Sequence, residues 1–198
     1  MWHGMWPDVN LFLVLFEADK AIVEQVQALG CPCGGRLDRA DYMRKPRGLM
    51  ADVDPALCRR FSLCCSREGC RARTSPPSLR FLNRKVYVAA IILLSCAAYC
   101  QERVTMKVSR AATNVAEMFD VPRRTLQRWS AYFTTILPAL VGFRAERGRF
   151  MPPLDESLLP LTLLERFSGG LRDQLMQTLW FVAQITKLTS RAKKTMPG

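Results

Sequence analysis

The chain has 198 residues, 49% of them hydrophobic, and a formal net charge of +12 at pH 7. This length allows one ordinary domain or two small ones, and the apolar content excludes an intrinsically disordered chain. The positive charge is concentrated in residues 31–150, where 22 basic side chains outnumber 9 acidic ones. Such a field favours a polyanionic partner, although an anionic membrane surface would respond to it as well.

Residues 1–29 predict an N-terminal strand or helix. The apolar run at residues 11–16 fits either a strand or the start of a helix, and the following stretch, from Asp19 to Leu29, predicts a helix that ends at Gly30. The apolar face of that helix would consist of Ile22, Val23, Val26 and Leu29. The chain begins without the basic segment and cleavage site of a signal peptide, so we expect a cytoplasmic protein.

Eight cysteines in a protein of this kind indicate metal ligation and buried thiols more than a disulfide framework. Residues 30–80 contain two cysteine turns, which predict a small β zinc ribbon that binds one Zn²⁺ ion. The four ligands would be Cys31, Cys33, Cys65 and Cys70. Gly34-Gly35 permits the tight backbone of the first turn, and the metal would replace a core that so small a segment cannot build.

The choice of ligands depends on two local patterns. In the first turn only Pro32 separates the two cysteines, which strains their joint ligation of one ion. In the second turn, residues 61–65 alternate as in a strand, so that Cys65 shares a face with apolar neighbours and Cys64 faces the other side. Three alternatives stay open. The backbone compensates for the short first turn, Cys58 or Cys64 substitutes as a ligand, or the thiols bind no metal.

Basic side chains beside the cysteine turns predict phosphate contacts. The candidates for DNA binding in this region are Arg44, Lys45 and Arg47. Together with further basic residues they form a predicted phosphate-binding rim around the ribbon. These further residues are Arg59, Arg60, Arg67, Arg71, Arg73, Arg80, Arg84 and Lys85. A solvated loop would explain any single cluster, but so many clusters with few acids among them favour contact with a phosphate backbone.

Residues 84–150 predict a helical domain. Its first helix, from Arg84 to Arg103, contains the apolar run Val86–Cys100, which is shorter than the about 20 residues that a membrane-spanning helix needs. We therefore expect a buried core helix and no membrane association. Cys96 and Cys100 would be small core residues of this helix.

The stretch ATNVAEMFDVPRRTLQRWSAYF, residues 112–133, predicts a helix-turn-helix. Thr113 would cap its first helix, and Asp120-Val121-Pro122 would form the break before the second. The inward side chains would be Val115, Ala116 and Phe119 in the first helix and Leu126, Trp129 and Phe133 in the second. The opposite face of the second helix would present Arg123, Arg124, Thr125, Gln127 and Arg128 to DNA.

Residues 151–198 predict C-terminal helices. The second helix of the helix-turn-helix should stop near Pro138, and further helices are expected at Leu158–Phe167 and Leu171–Leu188. The last of these has an apolar stripe formed by Leu175, Leu179, Val182 and Ile185. The stripe must cover either the core of this chain or a second copy, so a homodimer stays open. The whole chain is thus predicted to be mainly α with a small β zinc ribbon, the ribbon being followed by the helix-turn-helix domain and the C-terminal helices.

Taken together, the segments GCPCGGRLDRADYMRKPRG, RFSLCCSREGCRARTSPPSLRFLNRKVY and FDVPRRTLQRW resemble the zinc-ribbon plus helix-turn-helix proteins of bacterial insertion elements and the DNA-recognition halves of transposases. The resemblance covers residues 30–133. It implies that both modules bind the ends of a mobile element, with the four cysteines as metal ligands and with Arg123, Arg124, Gln127 and Arg128 as reading residues. The short CPC turn departs from the usual pattern of that family.

Transposases of that kind also need a nuclease half, in which three acids hold two Mg²⁺ ions. After residue 150 the only acids are Asp155, Glu156, Glu165 and Asp173, which lie in amphipathic helical patterns. We therefore expect no enzymatic activity, and we predict a sequence-specific double-stranded DNA-binding protein of a mobile element, acting as a transposase accessory or regulator. The alternative is a protein-interaction module that binds a recombinase or transposase without reading DNA itself.

Overall fold

The computed structural model describes residues 9–49, 53–82, 85–105 and 119–195 of the chain. These residues form a mostly helical protein with a small antiparallel sheet. Their contacts define two compact units, one within residues 7–88 and one that begins at Ala89. Of the four segments distinguished in the sequence, the N-terminal segment and the cysteine-rich segment contribute to the first unit, and the two helical segments contribute to the second.

The first unit begins with one long helix, α1, which spans Val9–Ala28. The apolar run at residues 11–16 is therefore the start of this helix and not a strand. Ile22 and Val23 are buried as predicted, and Val26 packs against the same core. The prediction is wrong for Leu29, which is 69% exposed because the helix has already ended at Ala28.

The described residues of the first unit that follow α1 include a 3₁₀ turn, Pro55–Cys58, and five short strands. The strands are β1 (Leu37–Arg39), β2 (Tyr42–Met43), β3 (Arg59–Arg60), β4 (Leu63–Cys65) and β5 (Arg73–Thr74). Antiparallel pairing gives a three-stranded sheet in the order β1-β4-β5 and a two-stranded sheet of β2 and β3. The β1–β4 and β2–β3 pairings share one register, so residues 37–43 and 59–65 form one long hairpin. The hairpin is interrupted where the Asp41 carboxylate accepts the N–H of Ser62 at 2.9 Å.

The core of the first unit lies between α1 and the sheet. Val23 of α1 clusters with Leu37, Phe61 and Leu63, and two cysteines, Cys31 and Cys65, belong to the same buried cluster. Gln27 of α1 also donates a hydrogen bond to the carbonyl of Leu37 at 2.9 Å. The cysteine turns therefore border a true apolar core, which α1 supplies from outside the segment that the sequence had defined as a ribbon.

A buried ion pair crosses this core. Nε of Arg80 lies 2.8 Å from Oδ2 of Asp19, and the two side chains are 0% and 1% exposed. The guanidinium also donates to the carbonyl oxygens of Leu57 and Arg59. Four aromatic rings surround it, with centroids 4.7 to 5.8 Å from Cζ; they are Phe12, Phe16, Phe61 and Phe81. The charge is thus paired, and each guanidinium nitrogen donates a hydrogen bond, which compensates for the burial of this arginine.

Two arginines of the predicted phosphate-binding rim are buried, so the prediction is wrong for them. Arg80 is 0% exposed and Arg60 is 7% exposed, and Arg60 donates its hydrogen bonds to the carbonyl oxygens of Phe61 and Pro76. Neither side chain can reach a phosphate. Both arginines stabilise the first unit instead.

The second unit begins with α2, which spans Ala89–Thr105. The predicted start at Arg84 is wrong, because the backbone of residues 86 and 88 hydrogen-bonds to Arg47 before the helix begins. The apolar run is a core helix as predicted, since residues 89–98 are all buried. Among the described residues, no helix combines the length and the apolar character needed to cross a membrane.

The helix predicted to read DNA is α3, which spans Arg123–Ala131. A π-helical turn, Tyr132–Ile136, and the short helix α4, Leu137–Ala139, continue it. This helical segment ends beside Pro138 as predicted. The wider π turn was not predicted; it directly precedes Pro138, which has no N–H to offer the preceding turn.

The apolar side of α3 is buried as the sequence predicted. Leu126 is 6% exposed, Trp129 is 4% exposed and Phe133 is 1% exposed. The break before α3 is also present, since Asp120 adopts a positive φ of 47° and Pro122 precedes the first helical residue. The predicted first helix of the helix-turn-helix, with Thr113, Val115 and Ala116, lies outside the described residues.

The described residues further along the chain contain the α-helices α5 (Val141–Glu146), α6 (Leu161–Leu164) and α7 (Leu171–Thr195). The apolar stripe of α7 is buried as predicted, with Leu175, Leu179, Val182 and Ile185 each at most 4% exposed. The prediction of a helix at Leu158–Phe167 is wrong. Pro160 has no N–H for the carbonyl of Glu156, so a 3₁₀ turn, Glu156–Leu158, ends there and only α6 follows.

Candidate metal centre and the basic face of α3

Four cysteine sulfurs meet at the edge of the first unit's core. The Sγ atoms of Cys31, Cys33, Cys65 and Cys70 all lie within 4.8 Å of one another. Cys31 Sγ is 3.8 Å from Cys70 Sγ, and Cys33 Sγ is 3.5 Å from Cys65 Sγ. A tetrahedral ion with metal–sulfur bonds of about 2.3 Å would separate its sulfurs by about 3.8 Å. The cluster therefore has the dimensions of a four-thiolate site and can hold a metal ion.

In the first cysteine turn, residues 31–35, backbone hydrogen bonds compensate for the short CPC spacing. The N–H of Gly34 donates to the carbonyl of Cys31 at 2.8 Å, and the N–H of Cys31 donates to the carbonyl of Gly35 at 2.9 Å. Gly34 has a φ of +80°, which allows this tight loop. Both sulfurs consequently point into the cluster, although only Pro32 separates them.

The second cysteine turn, residues 65–72, connects β4 to β5. The N–H of Cys65 donates to the carbonyl of Ala72 at 2.9 Å, which closes the turn. Arg67 donates a side-chain hydrogen bond to the carbonyl of Cys33 at 2.7 Å and so links the two cysteine turns. No pattern in the sequence indicates this link, because Arg67 resembles the other basic residues near the cysteine turns.

Backbone N–H groups point at three of the four sulfurs. The N–H of Gly35 reaches Cys33, that of Arg67 reaches Cys65, and that of Ala72 reaches Cys70, in each case from two residues further along the chain. Such N–H donors favour the charged thiolate form, which is the form that binds metal. The donor set and its surroundings thus fit a tetrahedral thiolate site.

The cysteines influence one another's protonation. The Gly35 N–H and hydrogen bonds from the other thiols lower the pKa of Cys33 to about 6. At Cys65 the Arg67 N–H lowers the pKa, but burial and the shared hydrogen bonds outweigh it and raise the pKa to about 12. The lowered pKa favours the thiolate at Cys33 and the raised pKa favours the thiol at Cys65, so a metal ion that binds all four sulfurs must displace protons.

The two alternative ligands, Cys58 and Cys64, are not members of the cluster. Cys64 lies on the opposite face of β4 from Cys65, and its Sγ points towards the carbonyl oxygens of Cys65 and Arg71 at 3.8 and 3.7 Å. Cys58 is half-buried, and burial raises its pKa. Cys96 and Cys100 are buried in α2, as expected for core residues.

A second feature is the basic face of α3, formed by Arg123, Arg124, Thr125, Gln127 and Arg128. Thr125 is half-buried, and the other four side chains are exposed. Nη2 of Arg128 donates a hydrogen bond to Oγ1 of Thr125 at 3.2 Å. Four of these five side chains are therefore accessible to a ligand, and Thr125 is partly accessible.

Three arginines on this face lack acidic partners among the described residues, as do other exposed arginines such as Arg71, Arg73 and Arg144. Among the described residues, no acid lies within ion-pairing distance of Arg123, Arg124 or Arg128. Elsewhere the ion pairs are Arg36–Asp38, Arg39–Asp41, Arg147–Glu156 and Arg149–Glu146. The basic face of α3 thus concentrates positive charge that no described carboxylate neutralises.

The predicted phosphate contacts of the first unit, Arg44, Lys45 and Arg47, have different environments. Arg44 is half-buried, donates to the carbonyl of Lys85 at 2.8 Å and lies 5.1 Å from the ring of Phe81. Its guanidinium therefore stabilises the first unit through these contacts. Lys45 and Arg47 are exposed and can reach a ligand.

No protein-family model, curated protein or solved structure matches this chain. The function must therefore be inferred from the sulfur cluster and from the basic face of α3.

Proposed function

We propose that this protein binds double-stranded DNA in a sequence-specific manner through the basic face of α3. The observation that carries this proposal is the row of exposed arginines without acidic partners among the described residues. A DNA duplex offers both partners that such arginines lack, phosphate oxygens and the O6 and N7 acceptors of guanine. Gln127 on the same face offers the paired donor and acceptor that suit adenine.

The packing of α3 supports its use as a recognition helix. Its opposite side is fixed by the buried Leu126 and Trp129, and its main neighbour in the second unit is α2. A helix anchored in this way presents its polar side chains at fixed positions, which direct reading of base edges requires. The helix would enter the major groove with Arg123 and Arg124 leading, as the N-terminal residues of recognition helices do.

The sulfur cluster supports a structural Zn²⁺ ion. Four thiolates in a closed tetrahedral arrangement suit zinc, and the sulfur separations of 3.5 and 3.8 Å agree with such a site. The ion would lock the two cysteine turns together and fix the β4–β5 connection. The first unit would then act as a zinc ribbon, and its exposed Lys45 and Arg47 would contact phosphates.

The mobile-element role rests on the resemblance of residues 30–133 to insertion-element proteins. A ribbon followed by a helix-turn-helix suits an accessory or regulator that binds the ends of an element. Within the described part of the chain, the only group of three or more potential metal ligands is the cysteine cluster. We assign cleavage of the bound DNA to a transposase on another chain, because the acids after residue 150 form no nuclease pattern in the sequence.

The DNA-binding proposal is tested by titrating labelled duplexes at several salt concentrations with a charge-matched pair of variants. Arg124→Ala with Arg128→Ala should weaken specific binding by about 1–3 kcal/mol for each lost base contact. Arg147→Ala with Arg149→Ala removes the same charge from arginines that are paired with acids, and it should change binding little. Equal weakening by both variants would indicate unspecific attraction, and no weakening by the first would refute the proposed surface.

The zinc proposal is tested by metal analysis of the purified protein. We expect one equivalent of Zn²⁺, its loss in Cys70→Ser and its retention in Cys64→Ser, which changes a cysteine outside the cluster. Absence of zinc from the wild type, or its loss in Cys64→Ser, would contradict the assigned ligands.

The alternative function, a module that binds a recombinase or transposase without reading DNA, is supported by exposed apolar side chains in the second unit. Val141 is 58% exposed, Ile136 is 51% exposed and Trp180 is 41% exposed. Such side chains would serve a protein interface if they formed one contiguous patch. A stable complex with a transposase, together with the absence of salt-dependent or sequence-specific DNA binding, would favour this alternative.

A further inference from the structure

One arginine on the basic face of α3 is held in place before any ligand binds. Nη2 of Arg128 donates to Oγ1 of Thr125, one helical turn earlier, at 3.2 Å. Among the described residues, Arg123 and Arg124 make no side-chain hydrogen bond of this kind. Arg128 therefore differs from its two neighbours, because its guanidinium already has a preferred orientation.

The chemistry of this contact leaves Arg128 able to bind a base. A guanidinium has five N–H donors in a fixed plane, and the bond to Thr125 uses one of them. Bidentate recognition of guanine O6 and N7 requires two further donors in that plane. A guanidinium that is already oriented loses less conformational freedom when it binds, so its contact discriminates better between bases.

We infer that Arg128 reads a guanine in the major groove and that Thr125 is the positioning residue that orients it. This inference rests on the proposed function of α3. Thr125 acts through Arg128 and need not touch the DNA. The target duplex accordingly contains a G·C pair at the position of Arg128, and the preference for guanine there depends on the Thr125 hydroxyl group.

The test is selection of binding sites from a randomised pool of DNA duplexes with the full-length protein and four variants. The wild type should enrich guanine at one position, and Arg128→Ala should abolish that preference. Thr125→Val, which removes the hydroxyl but keeps the shape, should reduce the preference for guanine at that position about threefold to tenfold. Thr125→Ser, which keeps the hydroxyl, should retain it. Thr125→Ala repeats the test without a branched side chain, in case the valine variant does not fold.

The selected positions separate this inference from its rivals. If Thr125→Val and Thr125→Ala change the preference at a different base pair, or weaken all sequences equally, Thr125 contacts the DNA directly and the inference is wrong. If they leave every position as sharp as in the wild type, Thr125 does not position Arg128 and the inference alone fails. If the wild type itself enriches no sequence, the proposed function fails and the inference fails with it.

Discussion

Replacing Gly35 by alanine should disrupt the proposed metal site. A Cβ atom at this position would lie 2.6 Å from Sγ of Cys65, 3.0 Å from Cβ of Arg67 and 3.4 Å from Sγ of Cys33. Because ordinary contacts between non-bonded atoms are about 3.5–4.0 Å, the Cys65 sulfur would have to move by about 1 Å. Metal–ligand distances tolerate only about 0.2 Å, so the displaced sulfur could no longer ligate the ion together with the other three.

The neighbouring glycine provides a matched control. At Gly34 the φ is +80°, and no heavy atom lies within 4 Å of an added Cβ. Gly34→Ala therefore introduces backbone strain of about 1–2 kcal/mol but no clash with a ligand. The variant should lose stability and still bind one metal ion.

Competition with a chromophoric zinc chelator measures both variants. We expect Gly35→Ala to bind zinc at least about 100-fold more weakly than the wild type, because even changes that only reorient a ligand cost about 10–100-fold. Gly34→Ala should bind with near wild-type affinity but melt at a lower temperature. Wild-type zinc affinity in Gly35→Ala would show that the four cysteines do not form the site described.

Three further predictions concern the two cores. In a urea titration, Gly142→Ala should destabilise the second unit by at least about 1–3 kcal/mol, because its Cβ would lie 2.3 Å from the carbonyl oxygen of Ile185. Gly148→Ala is the control and should leave the stability unchanged, since nothing lies within 4 Å of the added Cβ. Asp19→Asn should cost about 3 kcal/mol or more by leaving a buried guanidinium unpaired, and a wild-type unfolding midpoint would contradict this. Burial raises the pKa of Cys100 to about 11, so alkylation near neutral pH should not label it until the protein unfolds; labelling of the native protein would refute its burial.

The helices of the second unit were predictable where one apolar face decides the structure. The buried residues of α3 and α7 follow the 3.6-residue period of a helix, which depends only on local geometry. Local signals failed where a proline divides a pattern. Pro160 interrupts an apolar stretch whose period is otherwise helical, and only α6 forms after it.

The membership of the cysteine cluster was also predictable, because alternation along β4 separates Cys65 from Cys64. The geometry that lets the CPC turn close depends on hydrogen bonds within residues 31–35, which the spacing alone does not reveal. Burial of arginines was not predictable either. Arg80 resembles the exposed arginines around it, and its partner Asp19 lies 61 residues away in the chain.

The central claim, that the basic face of α3 reads a DNA sequence, is tested most directly by a ratio of affinities. The ratio compares a selected duplex with a scrambled duplex of equal length, for the wild type and for Arg124→Ala with Arg128→Ala. We predict that the wild type prefers the selected duplex by at least about 10³ and that the double variant loses most of this preference while keeping part of its salt-dependent binding. A double variant that retains the wild-type ratio would contradict the claim.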